Sequence, residues 1–364
     1  MKALIAMSGG VDSSVAAHLM AEKGYDCIGC TMRLFDERAL GAADAGASDM
    51  NDLSGPEMHT ADARAVTERL GIPFHVFHFE DLFRENVIDP FIKSYEQART
   101  PNPCVHCNRC LKFAQLFQKM EELGCDVLVT GHYARVERDN TSGRMQLMKA
   151  LDKSKDQSYV LYSLTQEQLA HVQFPLGEMN KSETRATAGD AGFANAEKQD
   201  SQDICFIPDG DYAAFIERTM KKTYPEGDFL DQEGNVLGRH KGIIHYTLGQ
   251  RRGLGIPAAS RLYVVAIDPI ANTVTLGQNE DLFRTTLVAK QVNLIAMEKI
   301  EGELRANARI RYHHAEQPAT ITQIDDDTIR VVFDTPQRAI TPGQSVVLYD
   351  ADVVLGGGVI DEVL

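Results

Sequence analysis

Short apolar runs of strand length alternate with longer stretches of helical periodicity through the first 210 residues of this 364-residue chain. The strand-like runs lie at 2–7, 27–34, 74–79 and 126–130. Apolar positions at helical spacing follow at 11–23, 60–70, 81–97, 111–123 and 180–191. This alternation predicts an α/β domain, in which crossover helices join the strands of a parallel sheet. Such sheets bind ligands at the carboxyl ends of their strands.

Beyond residue 210 the pattern changes to short alternating runs separated by Gly, Pro and Asn, which is typical of β-structure. These runs predict two small, mainly-β modules with a boundary near residues 279–287, the last of them a β-barrel. We therefore expect three domains, at 1–210, 211–280 and 281–364. A hairpin is expected to join 134–138 to 145–149, and the aperiodic stretch 36–58 is expected to be a loop.

Composition and charge narrow the class of protein. The hydrophobic content of 43% suffices for packed cores, and no apolar run is long enough to span a bilayer or to form a signal peptide. We therefore expect a cytoplasmic protein with no membrane partner. The formal net charge of -15 argues against a general affinity for nucleic acid, but binding depends on local patches. The candidate patches are His240–Lys241, Arg251–Arg252 and the segment 305–314, which combines Arg, Tyr and His.

Seven cysteines, an odd number in a chain without a secretory signal, indicate metal or thiol chemistry and not a disulfide scaffold. Cys27 and Cys30 lie within a strand pattern, so we expect them to pack in the core. Cys205 lies in the polar segment DSQDICFI, at the point where the α/β pattern ends. A second polar cysteine segment far from the first suggests that the two act together.

The segment TPNPCVHCNRC places Cys104, Cys107 and Cys110 at intervals of three, in what we expect to be a loop that two prolines stiffen. Spacing alone leaves zinc ligation, iron–sulfur ligation and nucleophilic chemistry open. Arg109 and Lys112 are expected to lower the pKa of Cys107, because nearby cations favour the thiolate.

The opening sequence MKALIAMSGGVDSS combines a strand, a glycine turn and the start of a helix. The first turn of a helix presents unpaired N–H groups and the positive end of the backbone dipole, so phosphate is the expected ligand. The P-loop signature requires a lysine that this turn lacks. The residues SGGVDSS instead resemble the PP-loop of the ATP pyrophosphatases, which split ATP into AMP and pyrophosphate while adenylating an oxygen of the substrate.

A PP-loop together with two cysteine segments suggests that ATP activates a carbonyl oxygen as an adenylate and that persulfide sulfur then displaces AMP. Six motifs resemble the tRNA-specific 2-thiouridylase family over almost the whole chain: SGGVDSS, TPNPCVHCN, VTGHYAR, KDQSYVLY, DSQDICFI and HYTLGQRRGLGI. The resemblance implies an adenine nucleotide alpha hydrolase-like first domain. It also implies ATP- and Mg2+-dependent transfer of sulfur to carbon 2 of the wobble uridine in tRNAs for lysine, glutamate and glutamine. A persulfide sulfur-donor or relay protein would be the partner.

The resemblance also implies roles for residues of this chain. Cys107 is the catalytic nucleophile and Cys205 carries the persulfide, the two alternating with an internal disulfide during turnover. The residues expected to hold ATP are Ala6, Met7, Ser8, Gly9, Gly10, Val11, Asp12, Ser13, Met32 and Gly131. The target base, flipped because a ring carbon is inaccessible in a stack, is expected to meet Asn102, Pro103 and Cys104. Other expected tRNA contacts are His132, Lys155, Asp156, Gln157, Arg311, Tyr312 and Gln344.

Three alternatives stay open at this point. Cys104, Cys107 and Cys205, together with Cys110, could ligate an iron–sulfur cluster through which sulfur arrives. An amidating PP-loop synthetase acting on a small molecule would explain the glycine turn but not the cysteines. A metal- or cluster-bearing RNA-binding module without turnover would explain the cysteines but not the glycine turn. The chain also departs from the family pattern at Glu57-Met58-His59, where a cysteine pair is frequent, so those positions can carry no essential chemistry.

Overall fold

The structure, a computed structural model, describes residues 1–35, 56–198 and 204–364, with backbone only for 56–59. Residues 36–55 of the predicted loop 36–58 and the side chains of Glu57-Met58-His59 lie outside this description, whereas residues 56–58 belong to a helix and not to a loop. The chain forms two compact units. Unit 1 comprises residues 1–87, 104–210 and 352–355, and unit 2 comprises 88–103, 211–351 and 356–364. The three domain boundaries that the sequence suggests stay a prediction.

The described residues form ten helices and seventeen strands. The helices are α1 (Val11–Glu22), α2 (Pro56–Leu70), α3 (Glu80–Phe83), α4 (Asp89–Glu96), α5 (Pro103–Cys107), α6 (Phe113–Glu122), α7 (Ser158–Leu161), α8 (Gln166–His171), α9 (Lys181–Asp190) and α10 (Tyr212–Met220). The first seven strands are β1 (Lys2–Ala6), β2 (Asp26–Arg33), β3 (Phe74–His78), β4 (Val127–Thr130), β5 (Ala134–Arg138), β6 (Met145–Lys149) and β7 (Val172–Gln173). The others are β8 (Gly227–Leu230), β9 (Val236–His240), β10 (Tyr263–Asp268), β11 (Thr273–Gly277), β12 (Phe283–Leu294), β13 (Glu303–Arg309), β14 (Gln317–Asp325), β15 (Thr328–Arg338), β16 (Ser345–Asp350) and β17 (Val353–Val363).

Unit 1 is built on a parallel sheet of five strands in the order β3-β2-β1-β4-β7, which confirms the predicted α/β architecture. The strand order reverses direction at β1, with β2 and β3 on one side and β4 and β7 on the other. Ala6 at the end of β1 pairs with Thr130 at the end of β4. The loops that follow these two strands therefore flank a crevice at the switch point of the sheet, where α/β proteins bind ligands.

The core of unit 1 explains why α1 forms directly after the glycine turn. Ile5 of β1 and Val15 and Met20 of α1 are fully buried in one apolar cluster, so the helix is held against the sheet. Cys27 and Cys30 are also buried, as the strand pattern predicted. The predicted hairpin of β5 and β6 is confirmed, and residues 353–354 add a short antiparallel strand to it.

Unit 2 contains two β-structures. Strands β10-β11-β8-β9 form a four-stranded sheet around buried Phe229, Tyr246 and Val264. Strands β12-β15-β14-β13-β16-β17 form a barrel that the β12–β17 pairing closes, which confirms the predicted β-barrel. Helix α10, which the sequence pattern did not reveal, stacks Tyr212 on Tyr95 of α4 with ring centroids 4.4 Å apart.

Two predicted helices differ from the structure in where they begin or break. Helix α2 begins at Pro56, four residues before the predicted start at Thr60, because proline suits the first turn of a helix. The sequence predicts an interruption near Pro90 in the helix at 81–97, and the structure has a π-helical turn, Arg84–Ile88, between α3 and α4. None of the helices in the described ranges has the length and apolar character needed to cross a bilayer.

Candidate active site

The glycine turn after β1 has the shape of an anion cradle. Gly9 has a positive φ of 73°, and Gly10 starts α1 without a capping side chain. The Ser13 hydroxyl donates to the Gly10 carbonyl at 3.0 Å and accepts from the Ser8 N–H at 3.1 Å, which closes the turn on itself. The first N–H groups of α1 thus point toward the crevice with the positive end of the helix dipole behind them.

Gly131, directly after β4, packs against this turn. A Cβ atom at Gly131 would lie 2.7 Å from the carbonyl carbon of Asp12 and 2.7 Å from the backbone nitrogen of Ser13. Only glycine allows the two backbones to approach so closely. The residues predicted to hold ATP therefore gather at the carboxyl ends of β1, β2 and β4: Ala6 to Ser13, Met32 and Gly131.

Three polar residues support the turn, and the sequence did not single them out. The Tyr133 hydroxyl and the Lys181 ammonium donate to Asp12 Oδ1, at 2.9 Å and 2.7 Å. The Asn195 amide donates to the Gly9 carbonyl at 3.1 Å and to the Ser14 hydroxyl at 2.9 Å. Tyr133 belongs to the VTGHYAR motif, which is the sequence feature that could have identified it. Lys181 and Asn195 come from distant segments, so only the fold reveals them.

The cysteine segment is a helix and not the loop that the sequence suggested. Pro103 begins α5, and α5 continues into a π-helical turn at Asn108–Lys112. Pro103 suits the start of this helix, because the first helical turn needs no N–H from proline. The π-helical turn follows Cys107 directly, and Asn108 within it is buried and donates to the Val160 carbonyl at 2.9 Å. Single π-turns inside helices often mark functional sites.

The fold of unit 1 brings Cys205 close to Cys107. The Cys205 segment is described from residue 204 onward, and buried Phe206 anchors it by an edge contact with Phe83, at 5.5 Å between ring centroids. The charge of a Cys107 thiolate raises the pKa of Cys205, and Cys104 acts in the same direction. The structure therefore brings together the two cysteines predicted to be catalytic, which lie almost a hundred residues apart in the sequence.

The predicted lowering of the Cys107 pKa is wrong. Burial raises the pKa of Cys107 to about 11, and the nearby Lys112 ammonium only partly opposes this effect. Cys205 is exposed, yet loss of solvent around its sulfur and the neighbouring Cys107 raise the pKa of its thiol to about 12. Desolvation penalises the charged thiolate more than one lysine stabilises it. Both thiols are therefore protonated at neutral pH.

Alkylation of Cys107 and Cys205 is expected to be slow at pH 7 and to accelerate about tenfold per pH unit up to pH 10, because only the thiolate reacts. Peptide mass spectrometry after timed exposure to iodoacetamide measures both rates. The same chain in denaturant is the control, since its thiols have ordinary pKa values and level off earlier. A plateau near pH 8 in the folded chain would contradict the raised pKa values.

His132 links the nucleotide turn to the cysteine helix. Its Nδ1 lies 2.7 Å from the Thr130 hydroxyl, and its ring lies 5.9 Å from the ring of Phe113, which begins α6. Burial, aided by the charge of Lys112, lowers the pKa of His132 to about 3, so the ring is neutral. Lys112 therefore acts electrostatically on both His132 and Cys107.

The KDQ segment folds against the GHY motif. Asp156 is buried and accepts from the backbone N–H groups of Ala150 and Ser158 and from the Ser158 hydroxyl. Gln157 pairs with Tyr133 through two hydrogen bonds of 2.9 Å. Asp156 and Gln157 therefore fix the position of the motif that follows β4, whereas Lys155 lies at the start of the segment with intermediate exposure.

In unit 2, hydrogen bonds and a ring contact hold the residues that are expected to contact RNA. Gln344 donates to the carbonyls of Thr100 and Pro101, at 3.0 Å and 3.2 Å, so it braces the chain just before Asn102 and Pro103. Arg311 donates to the Ala339 carbonyl at 2.6 Å. The ring of Tyr312 packs against that of His313, at 4.8 Å between centroids.

Two parts of the predicted basic patches differ from expectation. His240, from the patch His240–Lys241, is buried, and its Nε2 lies 3.0 Å from the Asn272 carbonyl oxygen. It therefore belongs to the interior and not to an RNA-binding surface. Arg305 forms two hydrogen bonds of 2.8 Å and 2.7 Å with the Asp334 carboxylate, which neutralises its charge. Arg251 and Arg252 are exposed, as an RNA-binding surface requires.

Metal ligation was one interpretation of the cysteine spacing. Across residues 1–35, 56–198 and 204–364, no three His, Cys, Asp or Glu side chains are arranged to hold a metal ion. The described thiols near Cys107 therefore do not form a ligand set for a metal cluster in this conformation.

A parallel sheet with a glycine-rich anion turn at its switch point, in one compact unit with Cys107 and Cys205, defines a HUP-type PP-loop enzyme domain. A sequence profile described as the tRNA methyl transferase HUP domain matches residues 1–209. Profiles described as the tRNA methyl transferase PRC-barrel domain and the aminomethyltransferase beta-barrel domain match residues 213–278 and 284–360.

Full-length relatives identify the family. The chain is 48% identical over 363 residues to the tRNA-specific 2-thiouridylase MnmA of Clostridioides difficile (strain 630), covering 100% of this chain and 99% of the relative. It is 49% identical over 361 residues to the tRNA-specific 2-thiouridylase MnmA 1 of Caldanaerobacter subterraneus subsp. tengcongensis, covering 99% and 98%. The chain belongs to the tRNA-specific 2-thiouridylase family, which confirms the resemblance seen in the motifs.

Proposed function

We propose that this chain is an ATP-dependent tRNA-uridine 2-sulfurtransferase that forms 2-thiouridine at the wobble position of tRNAs for lysine, glutamate and glutamine. Family membership supports the reaction, and the PP-loop supports the use of ATP. The single observation that supports the residue assignment is that Cys107 and Cys205 lie in the unit that holds the PP-loop, near enough for a charge on Cys107 to raise the pKa of Cys205. An amidating synthetase would have no use for this pair of thiols, and an RNA-binding module without turnover would have no use for the glycine cradle.

The first step proposed is adenylation. The uridine oxygen on carbon 2 attacks the α-phosphorus of ATP, and pyrophosphate leaves. Ala6 to Ser13, Met32 and Gly131 hold the nucleotide, with backbone N–H groups of the turn donating to phosphate oxygens. The Asp12 carboxylate, which Tyr133 and Lys181 hold through Oδ1, would hold Mg2+, and the ion would supply charge neutralisation of the phosphates.

The second step proposed is sulfur transfer. The terminal sulfur of a Cys205 persulfide attacks carbon 2, and AMP leaves with the former carbonyl oxygen. The Cys107 thiol then attacks the Cys205 sulfur and gives its proton to the base that is released, which breaks the persulfide bond, leaves sulfur on the base and forms a Cys107–Cys205 disulfide. Two electrons from an external dithiol restore both cysteines. A persulfide sulfur-donor or relay protein reloads Cys205.

The persulfide route needs only the two thiols that the fold brings together. The cluster alternative would need a third ligand, and Cys104 is the candidate, since its charge would raise the pKa of both Cys107 and Cys205. Iron content and charge-transfer absorption of anaerobically purified chain, compared with its activity, test this choice. Stoichiometric iron that tracks activity would overturn the persulfide route.

The tRNA-binding assignment combines base and backbone contacts. Asn102, Pro103 and Cys104 are proposed to meet the flipped base, and Gln344 holds the chain before them in place. His132, Lys155, Arg311 and Tyr312 are proposed to contact other parts of tRNA, with Asp156, Gln157 and Gln344 keeping the contact segments in position. We place the reaction in the cytoplasm, where tRNA is modified.

Replacing Arg251 and Arg252 together by Gln is expected to weaken tRNA binding about tenfold or more and to reduce the salt slope by about two, because two phosphate contacts are lost. Filter binding at several salt concentrations measures both quantities. Arg305→Gln is the control, since the Asp334 carboxylate already neutralises that arginine. Equal effects of the pair and of the control would contradict the assignment of this loop to RNA.

The proposed function is tested by mass spectrometry of tRNA nucleosides from cells that lack this chain. Wild-type chain is expected to restore 2-thiouridine at the wobble position, and Cys107→Ser is expected not to restore it. Restoration by Cys107→Ser would remove that thiol from the mechanism. Unchanged 2-thiouridine in cells without the chain would reject the reaction itself.

A further inference from the structure

A lysine from a distant helix reaches the nucleotide turn. Helix α9 begins at Lys181 and packs against α1. The Lys181 ammonium lies 2.7 Å from Asp12 Oδ1 and 5.7 Å from the centroid of the Tyr133 ring. Its side chain is only 12% exposed. The Lys181 ammonium is thus held against Asp12, in the first turn of α1.

The position of Lys181 is unfavourable for the helix that carries it. A positive charge at the first residue of a helix opposes the helix dipole, and burying an ammonium group costs solvation. The start of α9 is already satisfied, because Asn180 and Glu183 form a capping box and Asp152 accepts the Lys181 N–H at 3.1 Å. A lysine at this position therefore does not stabilise α9. Residues that are unfavourable for their local structure often serve function.

The nucleotide turn itself has no cationic side chain that could bind phosphate. Ser8 to Ser14 contain no Lys or Arg, and their one charged residue is the acidic Asp12. ATP brings several negative charges, and more charge accumulates on the β- and γ-phosphates as pyrophosphate leaves. Within the described part of the chain, Lys181 is the cationic side chain that contacts Asp12.

We propose that Lys181 binds the β- and γ-phosphates of ATP and supplies the positive charge that the lysine of a P-loop supplies from within its own turn. This inference rests on the proposed ATP site at the PP-loop. Before ATP binds, Asp12 holds the ammonium in place. When ATP is bound, the ammonium neutralises the pyrophosphate that leaves during adenylation, so Lys181 is a catalytic residue of the first step.

The test compares ATP with AMP, because AMP lacks the two phosphates that Lys181 is proposed to bind. Lys181→Met is expected to weaken ATP binding about 10- to 100-fold, which corresponds to the loss of one charge-assisted contact, and to leave AMP binding unchanged. tRNA-dependent pyrophosphate release is expected to fall about 100-fold or more. Lys181→Arg is expected to retain most of the ATP affinity.

The matched control is Lys119→Met, which also breaks a close lysine–carboxylate pair in unit 1, with Glu122 at 2.6 Å. It is expected to behave as wild type. Thermal unfolding of each variant confirms that the chain is folded.

Three results would overturn the inference. They are unchanged ATP affinity and pyrophosphate release in Lys181→Met, equal weakening of ATP and AMP binding, and a loss of ATP affinity in the Lys119→Met control as large as that in Lys181→Met. Failure of the wild-type chain to bind ATP and AMP would instead reject the ATP site itself, and the role of Lys181 with it.

Discussion

Cys205→Ser is expected to reduce 2-thiouridine formation at least about 1000-fold while tRNA-dependent release of pyrophosphate continues. Serine cannot carry a persulfide, so the second step stops, whereas the PP-loop that performs the first step is unchanged. Parallel assays of pyrophosphate and of thiolated nucleoside measure the two steps separately. The result would show that adenylation and sulfur transfer are distinct steps on one chain.

Cys125→Ser is the control for this experiment. Cys125 is buried just before β4, at the edge of the sheet opposite the nucleotide turn, so its replacement should affect stability slightly and activity little. Persistent thiolation by Cys205→Ser would remove Cys205 from the mechanism. Loss of pyrophosphate release together with thiolation would mean that Cys205 is needed before adenylation.

Gly131→Ala is expected to lower tRNA-dependent pyrophosphate release about 100-fold or more. Its new Cβ would lie 2.7 Å from backbone atoms of both Asp12 and Ser13, so β4 or the nucleotide turn must move. Positioning errors of this size at a phosphate cradle are costly, because catalysis there depends on preorganised donors. Steady-state kinetics with ATP as the varied substrate measures the loss.

The control for Gly131 is Gly189→Ala. Gly189 lies inside α9, is exposed, and has no heavy atom within 4 Å of the position where a Cβ would lie. Alanine there should raise the free energy of unfolding by about 0.5 to 1 kcal/mol without changing the kinetics. Equal kinetics for wild type and Gly131→Ala would contradict the close packing of β4 against the turn.

Much of unit 1 could be predicted because its signals are local. The strand, glycine turn and helix around SGGVDSS follow one another in the sequence, and the parallel sheet follows from the alternation of strands and helices. The β-barrel was predictable from short alternating runs. By contrast, α10 was missed, because its apolar residues lie beside turn-forming residues and the β pattern that follows dominated the interpretation.

The errors at the site have a common physical origin. The segment around Cys107 was expected to be a polar loop with a low thiol pKa, but Pro103 starts a helix whose inner side buries that cysteine. Burial is a property of the whole fold, and it outweighs the charge of Lys112. The same limit applies to Lys181 and Asn195, whose relation to the nucleotide turn depends on how α9 and its following segment pack.

The motifs taken from the family resemblance named residues but not how they act. Asp156 was expected to contact tRNA, and the structure places its carboxylate in an internal network of three hydrogen bonds. Gln344 likewise donates to the chain that precedes Asn102. We therefore propose that both residues influence tRNA binding by positioning the segments that touch it, which a sequence motif alone does not distinguish from direct contact.

The most direct test of the account follows one oxygen atom through the reaction. A tRNA whose wobble uridine carries oxygen-18 on carbon 2 is converted by the chain in the presence of ATP and a persulfide donor, and the AMP produced is analysed by mass spectrometry. Adenylation of that oxygen predicts that each 2-thiouridine formed yields one AMP with one oxygen-18 atom in its phosphate. Formation of 2-thiouridine with unlabelled AMP would contradict the claim that the PP-loop activates the base that receives the sulfur.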